Sequence, residues 1–185
     1  MTQQIALEIF RYSWSLLLLI TVLCLILYED WPETRAGWIA SLIVIIPYLL
    51  IFGCYYAREH VGSYSGTAYL RVAGAFVLFC GILTYLYSHL LLRRNWSVLA
   101  SIRRRHQLVT TGLYAHVRHP MYSSMLLIVL GSGLMISNYL MISCIPVIAL
   151  IYYVRAKEEE SLLIRHLPDY GSYMQRTKMF IPRLF

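Results

Sequence analysis

The stretch YSWSLLLLITVLCLILY, from Tyr12 to Tyr28, contains no charged residue. A helix needs roughly 20 apolar residues, within a range of about 17–25, to cross the hydrocarbon core of a bilayer, where no water is present to satisfy an open backbone. Two further runs meet the same requirement, Trp38 to Tyr56 and Tyr69 to Leu92. A Trp-Pro-Glu-Thr-Arg turn at Trp31 to Arg35 and a Gly/Ser-rich break at Gly62 to Gly66 separate them. The first run is too long for a signal-peptide core and no small-residue cleavage site follows it, so it is expected to stay in the mature protein. Composition agrees: of 185 residues, 59% are hydrophobic and 14% charged, whereas soluble domains average about 45–50% and about 25%. The four cysteines, Cys24, Cys54, Cys80 and Cys144, all lie in apolar runs. They read as small buried hydrophobes, with neither a disulfide framework nor a CxxC metal site among them.

Downstream of Leu92 the pattern changes. Arg93 to Pro120 is polar, and Met121 to Val154 is again apolar but interrupted at Ser137-Asn138. That length accommodates two short crossings, read as a tight antiparallel hairpin with its tip near Asn138. The tail, Arg155 to Phe185, is charged and opens with a helical stretch that Pro168 should end. The expectation is an all-α integral membrane protein with five transmembrane helices. Residues 1–185 form one membrane domain, with three helices in 1–92 and a loop, hairpin and tail in 93–185. Placing the tail in the cytoplasm puts thirteen of the sixteen basic residues there and leaves Arg11, Arg58 and Arg71 outside. The N terminus is then outside, and the two large polar segments share the cytoplasmic face. The acidic first loop, with Glu29, Asp30 and Glu33, has little influence on orientation. The basic excess reports topology and anionic lipid, and no nucleic-acid-binding signature accompanies it.

Two clusters on that face can carry chemistry. The first, His106 to Tyr122, includes His106, His116 and His119, Arg118, Tyr114 and Tyr122, and runs directly into an apolar segment. One reading is an interfacial belt anchoring a helix end. Zinc is a weaker reading, because no Cys, Asp or Glu lies near His116 and His119 to complete a tetrahedral set. The second cluster is Arg155-Ala156-Lys157-Glu158-Glu159-Glu160, in which Arg155 shares a helical face with Glu158 and Glu159. A solvated run of surface ion pairs is worth about 0–1 kcal/mol, but ionisable groups at membrane depth are candidates for function.

Taken in order, Gly112-Leu-Tyr-Ala-His-Val-Arg-His-Pro-Met-Tyr122, then Arg155 with Glu158 to Glu160, then Tyr170-Gly-x-Tyr173 and Ile181-Pro-Arg183 resemble the isoprenylcysteine carboxyl methyltransferase family. That family is grouped with the phospholipid N-methyltransferases among small membrane methyltransferases. The resemblance runs from about Asn95 to Phe185 and takes in Asn95-Trp96-Ser97. It implies S-adenosylmethionine as methyl donor, held by the loop and tail together. By position, His106, Gln107, Leu108, Val109, Gly112, Tyr114, His119, Pro120 and Tyr122 would line the cofactor pocket, with Glu158 and Glu159 as the family's paired acids. Arg155 would grip an anionic acceptor, as a planar guanidinium fork does better than an ammonium.

Methyl transfer from a sulfonium to an ionised carboxylate needs alignment and a dry site but no base. Positioning alone can lower such a barrier by about 7–11 kcal/mol in the best cases. An amine acceptor such as phosphatidylethanolamine must first lose a proton, for which Glu159 is the candidate. The expected partners are membrane lipids and a lipophilic or prenylated acceptor, in a prokaryotic inner membrane with the site facing the cytoplasm. An NADPH-dependent sterol-type reductase and a non-catalytic membrane scaffold remain alternatives from other classes.

Overall fold

The structure is a computed structural model that describes residues 1–28, 35–58, 60, 62–92 and 107–184, with side chains except over 24–45. Helix α1 (Gln3–Tyr28) begins well ahead of its charge-free run, and α2 (Arg35–Ala57) carries Pro47 in its interior. Membrane helices tolerate such a proline because neighbouring groups satisfy the freed carbonyl. Helix α3 (Ala68–Leu92) follows the Gly/Ser break. After a 3-10 turn at Gly112–Ala115, α4 (Pro120–Met135) starts on a proline in its first turn, where the missing N–H is no loss. Asn138 accepts a 2.9 Å hydrogen bond from the Met141 amide and caps the short α5 (Tyr139–Ser143). Helix α6 (Ile145–His166) stops with Leu167 in an extended conformation, as the following Pro168 requires. The tail ends in α7 (Tyr170–Arg176).

Among the described residues the architecture is all-helical, with only two isolated bridges, Ser63 to Asn138 and Val117 to Lys178. Three segments are long and apolar enough to cross a membrane: Gln3–Leu23, Ala68–Leu92 and Tyr139–His166, of 21, 25 and 28 residues. Pro120–Met135 is apolar but has only 16 residues, so it reaches about 24 Å at 1.5 Å per residue, short of a full hydrocarbon core. Five spans therefore exceed what length and apolarity establish here.

Helix α4 packs chiefly on α3, and glycines bring the two backbones together. A Cβ on Gly131 would lie 2.3 Å from the Leu78 amide nitrogen, and one on Gly74 would lie 2.4 Å from that of Met135. Small residues at a crossing are how membrane helices gain close contact without a hydrophobic driving force between them. Helices α1 and α2 join this pair through buried polar contacts. Trp14 Nε1 donates to Ser132 Oγ at 2.9 Å, linking α1 to α4. Thr21 Oγ1 lies 2.8 Å from the Tyr48 hydroxyl and 3.4 Å from that of Tyr85, linking α1, α2 and α3.

Each end of the bundle has its own closure. At one end the loop before α3 meets the turn after α4: Tyr64 donates its amide to Ser137, Tyr139 donates to Gly62, and the Tyr64 and Tyr139 rings stack at 4.1 Å. At the other end, the start of α4, the polar half of α6 and the tail come together.

Candidate functional site

Glu158, Glu159 and Glu160 are consecutive on α6, so their side chains fan around the helix by about 100° each. Glu158 points outward and is 3.7 Å from Arg155 Nη1. Glu159 points inward, where its oxygens meet Arg155 Nε at 3.3 Å and His119 Nδ1 at 3.5 Å. It also accepts a 2.5 Å hydrogen bond from the Tyr122 hydroxyl. Glu160 is 3% exposed and accepts from Arg118 Nε at 2.6 Å, with His119 Nε2 at 3.4 Å. Arg155 is itself buried. The ion pairs differ in kind from surface pairs, since desolvated partners interact strongly but are costly to leave alone.

The tail straps this cluster to the start of α4. Arg118 and His119 donate their amides to the carbonyls of Lys178 and Met179, and Lys178 donates back to His116. The Arg118 guanidinium also donates to the Met174 carbonyl at 3.3 Å and to that of Thr177. Ser123 Oγ donates to Phe180 O at 2.7 Å, and the Tyr173 hydroxyl donates to Tyr114 O at 2.7 Å. Arg118 thus serves α6 with one edge and the tail with the other, a use of the guanidinium fork that lysine does not offer.

Three rings stand nearly parallel beneath the carboxylates. His119 stacks on Tyr122 at 5.5 Å, and Tyr122 on Tyr152 at 4.7 Å. Burial alone would lower the pKa of His119, but hydrogen bonding and charge from Glu159 and Glu160 outweigh it and the net shift is upward. Burial, reinforced by Tyr173 and Glu159, pushes the Tyr114 hydroxyl well up, so it stays protonated. On the outer side of α6 a groove of about 610 Å³ opens, with Tyr153, Val154 and Leu162 as apolar walls and Lys157, Glu158 and Arg165 as polar ones. Glu158 belongs to both the groove and the cluster.

Residues 63–165 match the sequence profile of the isoprenylcysteine carboxyl methyltransferase (ICMT) family. This chain belongs to that family. It is 36% identical to the nickel-cobalt-cadmium resistance protein NccN of Alcaligenes xylosoxydans xylosoxydans over 93 residues, 49% of this chain and 44% of that protein. The cobalt-zinc-cadmium resistance protein CzcN of Cupriavidus metallidurans is also 36% identical over 93 residues, which are 43% of its length. The chain therefore spans less than half the length of these two relatives. Protein-S-isoprenylcysteine O-methyltransferase of Schizosaccharomyces pombe is 26% identical over 162 residues, 80% of this chain and 67% of that one. In fold, the chain is similar to a solved structure titled as the eukaryotic intramembrane Ras methyltransferase ICMT. The TM-score is 0.53 at 24% identity, over 82% of this chain and 55% of that chain.

Of the residues expected in an ICMT-type site, His119, Tyr122, Arg155, Glu158 and Glu159 lie together, with Pro120 setting the helix start between the first two. Tyr114 is buried beside them through its contact with Tyr173. Gly112 adopts φ +61 and faces α3 instead, where a Cβ would lie 2.8 Å from Leu91. Gln107 is exposed, while Leu108 and Val109 are half-buried. His106 and the rest of Arg93 to His106 lie outside the described residues. Sequence reasoning did not assign Arg118 and Glu160, although both sit inside the stretches it singled out. Tyr152 it missed altogether, because a tyrosine inside an apolar run carries no local signal.

Proposed function

We propose that the chain is an S-adenosylmethionine-dependent membrane methyltransferase acting on a lipophilic acceptor, foremost the carboxylate of an isoprenylcysteine-like molecule. The observation that carries this reading is the convergence of Tyr122 and His119 from α4 with Arg155 and Glu159 from α6 at one end of an apolar bundle. The cofactor, when bound, supplies a methyl group activated by its positive sulfur. The residues present fit such a group. Its cationic parts suit carboxylates and aromatic faces, and the buried cluster offers both, in Glu159 and Glu160 beside the stacked rings of His119, Tyr122 and Tyr152. Glu158 is the exposed acid of the set, with a side chain 57% exposed, and it can move toward a ligand without leaving a buried charge behind.

For a carboxylate acceptor, Arg155 is the anchor. It is already held by Glu158 and Glu159, so an incoming carboxylate replaces Glu158, the longer and more exposed contact. The groove along α6 then gives the acceptor's apolar chain a course from Tyr153 and Val154 toward the polar cluster. Tyr122 fixes Glu159, and the burial of the His119, Tyr122 and Tyr152 ladder keeps water away. A phosphatidylethanolamine-type amine is the second reading, favoured by the inward-facing Glu159 as a base within reach of a polar head.

Five crossings, an outside N terminus and a cytoplasmic site in a bacterial inner membrane complete the proposal. The placement of the basic residues supports the orientation. Calorimetric titration of the purified protein with S-adenosylhomocysteine tests the cofactor, and methyl transfer to a prenylcysteine analogue against phosphatidylethanolamine tests the acceptor. No heat of binding, together with no transfer to either acceptor, would overturn the reading.

A further inference from the structure

Cys54, near the end of α2, and Cys144, at the start of α6, are ninety residues apart in sequence, yet their sulfur atoms lie 3.6 Å from each other. That is van der Waals contact, and both are free thiols. Each sits about one helical turn from the polar end of the bundle where the loop before α3 pairs with the turn after α4. Two backbone hydrogen bonds and the Tyr64–Tyr139 stack hold that end together, so the two thiols are fixed neighbours. Cys54 is buried, whereas Cys144 is half-buried and is the more accessible of the two. The methyltransferase cluster is at the opposite end.

We infer that Cys54 and Cys144 form a site of reversible thiol–disulfide exchange that staples α2 to the turn between α4 and α6. A disulfide bond is about 2.05 Å long, so closure asks roughly 1.5 Å of approach, which rotation of the two side chains supplies. The oxidant is a small-molecule or protein disulfide. The Cys144 thiol, having lost its proton, attacks one sulfur of that disulfide and releases the other half as a thiol. The Cys54 thiolate then attacks the Cys144 sulfur, forming the internal bond and releasing the second half. Two thiol hydrogens leave the chain, and the oxidant is reduced to two thiols. Their place in apolar runs gives the reading of small buried hydrophobes without a disulfide framework, and their sequence separation conceals the pairing.

The test is to incubate the full chain in liposomes with oxidised glutathione, then unfold it, alkylate it and identify the cross-linked peptides by mass spectrometry. The expected result is one internal cross-link joining the peptides that carry Cys54 and Cys144, two alkylated thiols at Cys24 and Cys80, and reversal by dithiothreitol. Cys54→Ser and Cys144→Ser should each lack the cross-link, while the double substitution Cys24→Ser with Cys80→Ser should keep it. Alkylation of all four cysteines after oxidation, or a bond that involves Cys24, Cys80 or a second chain, would overturn the inference.

Discussion

The hydroxyl of Tyr122, in the first turn of α4, donates to Oε1 of Glu159 on α6 at 2.5 Å, and the ring that carries it is clamped between His119 and Tyr152. The bond fixes one carboxylate of three in a defined direction. Tyr122→Phe keeps the stack and removes the bond. A hydrogen bond to a charged group contributes about 1.5–3 kcal/mol, so methyl transfer should fall about ten- to a hundredfold in kcat with the fold intact. Turnover within twofold of wild type would show that Glu159 needs no such fixing.

Arg118 and Glu160 form a buried ion pair, with side chains 9% and 3% exposed. Removing one member of a buried pair leaves an uncompensated charge, at a cost of about 3–5 kcal/mol. Arg118→Ala also cuts the guanidinium contacts to the tail. A large drop in thermal unfolding midpoint is expected, with faster proteolysis after Arg176 and Lys178. A change confined to proteolysis would assign the strap to Arg118 and leave Glu160 satisfied by other groups.

Much of this was legible in the sequence. Helices α1 and α3 follow from apolar length, and the ends of α4 and α6 follow from Pro120, Asn138 and Pro168, because these are local signals. His119, Tyr122, Arg155 and Glu159 were singled out by an ordered motif, and the structure brings them together. The Arg118–Glu160 pair was not, because a contact spanning 42 residues depends on how two helices pack, and nothing near either residue encodes it. The same holds for Tyr152 and for the Cys54–Cys144 contact, since apolar runs look uniform until a neighbour is specified.

Packing of α3 on α4 gives a contrast between two glycines. Gly131→Ala would set a Cβ 2.3 Å from the Leu78 nitrogen, against backbone that has no flexible end to move, whereas a Cβ on Gly53 meets nothing within 4 Å. Overpacking costs about 1–3 kcal/mol, and alanine is about 1 kcal/mol better than glycine in a helix. Thermal unfolding in detergent should therefore shift down for Gly131→Ala and slightly up for Gly53→Ala. Equal shifts would mean that the helices separate easily.

Protonation of His119 links the site to pH. Burial acts to lower its pKa, but Glu159 and Glu160 reverse this and raise it. A histidine whose folded pKa exceeds its unfolded value of about 6.5 contributes stability that is complete below that pH and lost as pH rises through the folded value. The gap in unfolding midpoint between wild type and His119→Gln should be widest in mild acid and should narrow toward alkaline pH. A gap that does not change with pH would mean that His119 is neutral in the fold and that its two carboxylates are balanced by Arg118 and Arg155 alone.

Arg155 and Glu159 lie one turn apart on α6, 3.3 Å from each other, and they separate the two acceptor chemistries. Arg155→Lys keeps the charge but loses the planar fork, so transfer to a prenylcysteine carboxylate should fall sharply while S-adenosylhomocysteine still binds. Glu159→Gln removes a base. A lipid amine that depends on it should react slowly and with a displaced pH profile, whereas an acceptor already ionised should show no displacement. Rates measured across pH with a prenylcysteine analogue and with phosphatidylethanolamine resolve the two, because only one substrate can lose its pH dependence together with Glu159. Wild-type turnover of both substrates in both variants would reduce the pair to a structural contact, and the acceptor would then have to be sought along the groove formed by Tyr153, Lys157 and Arg165.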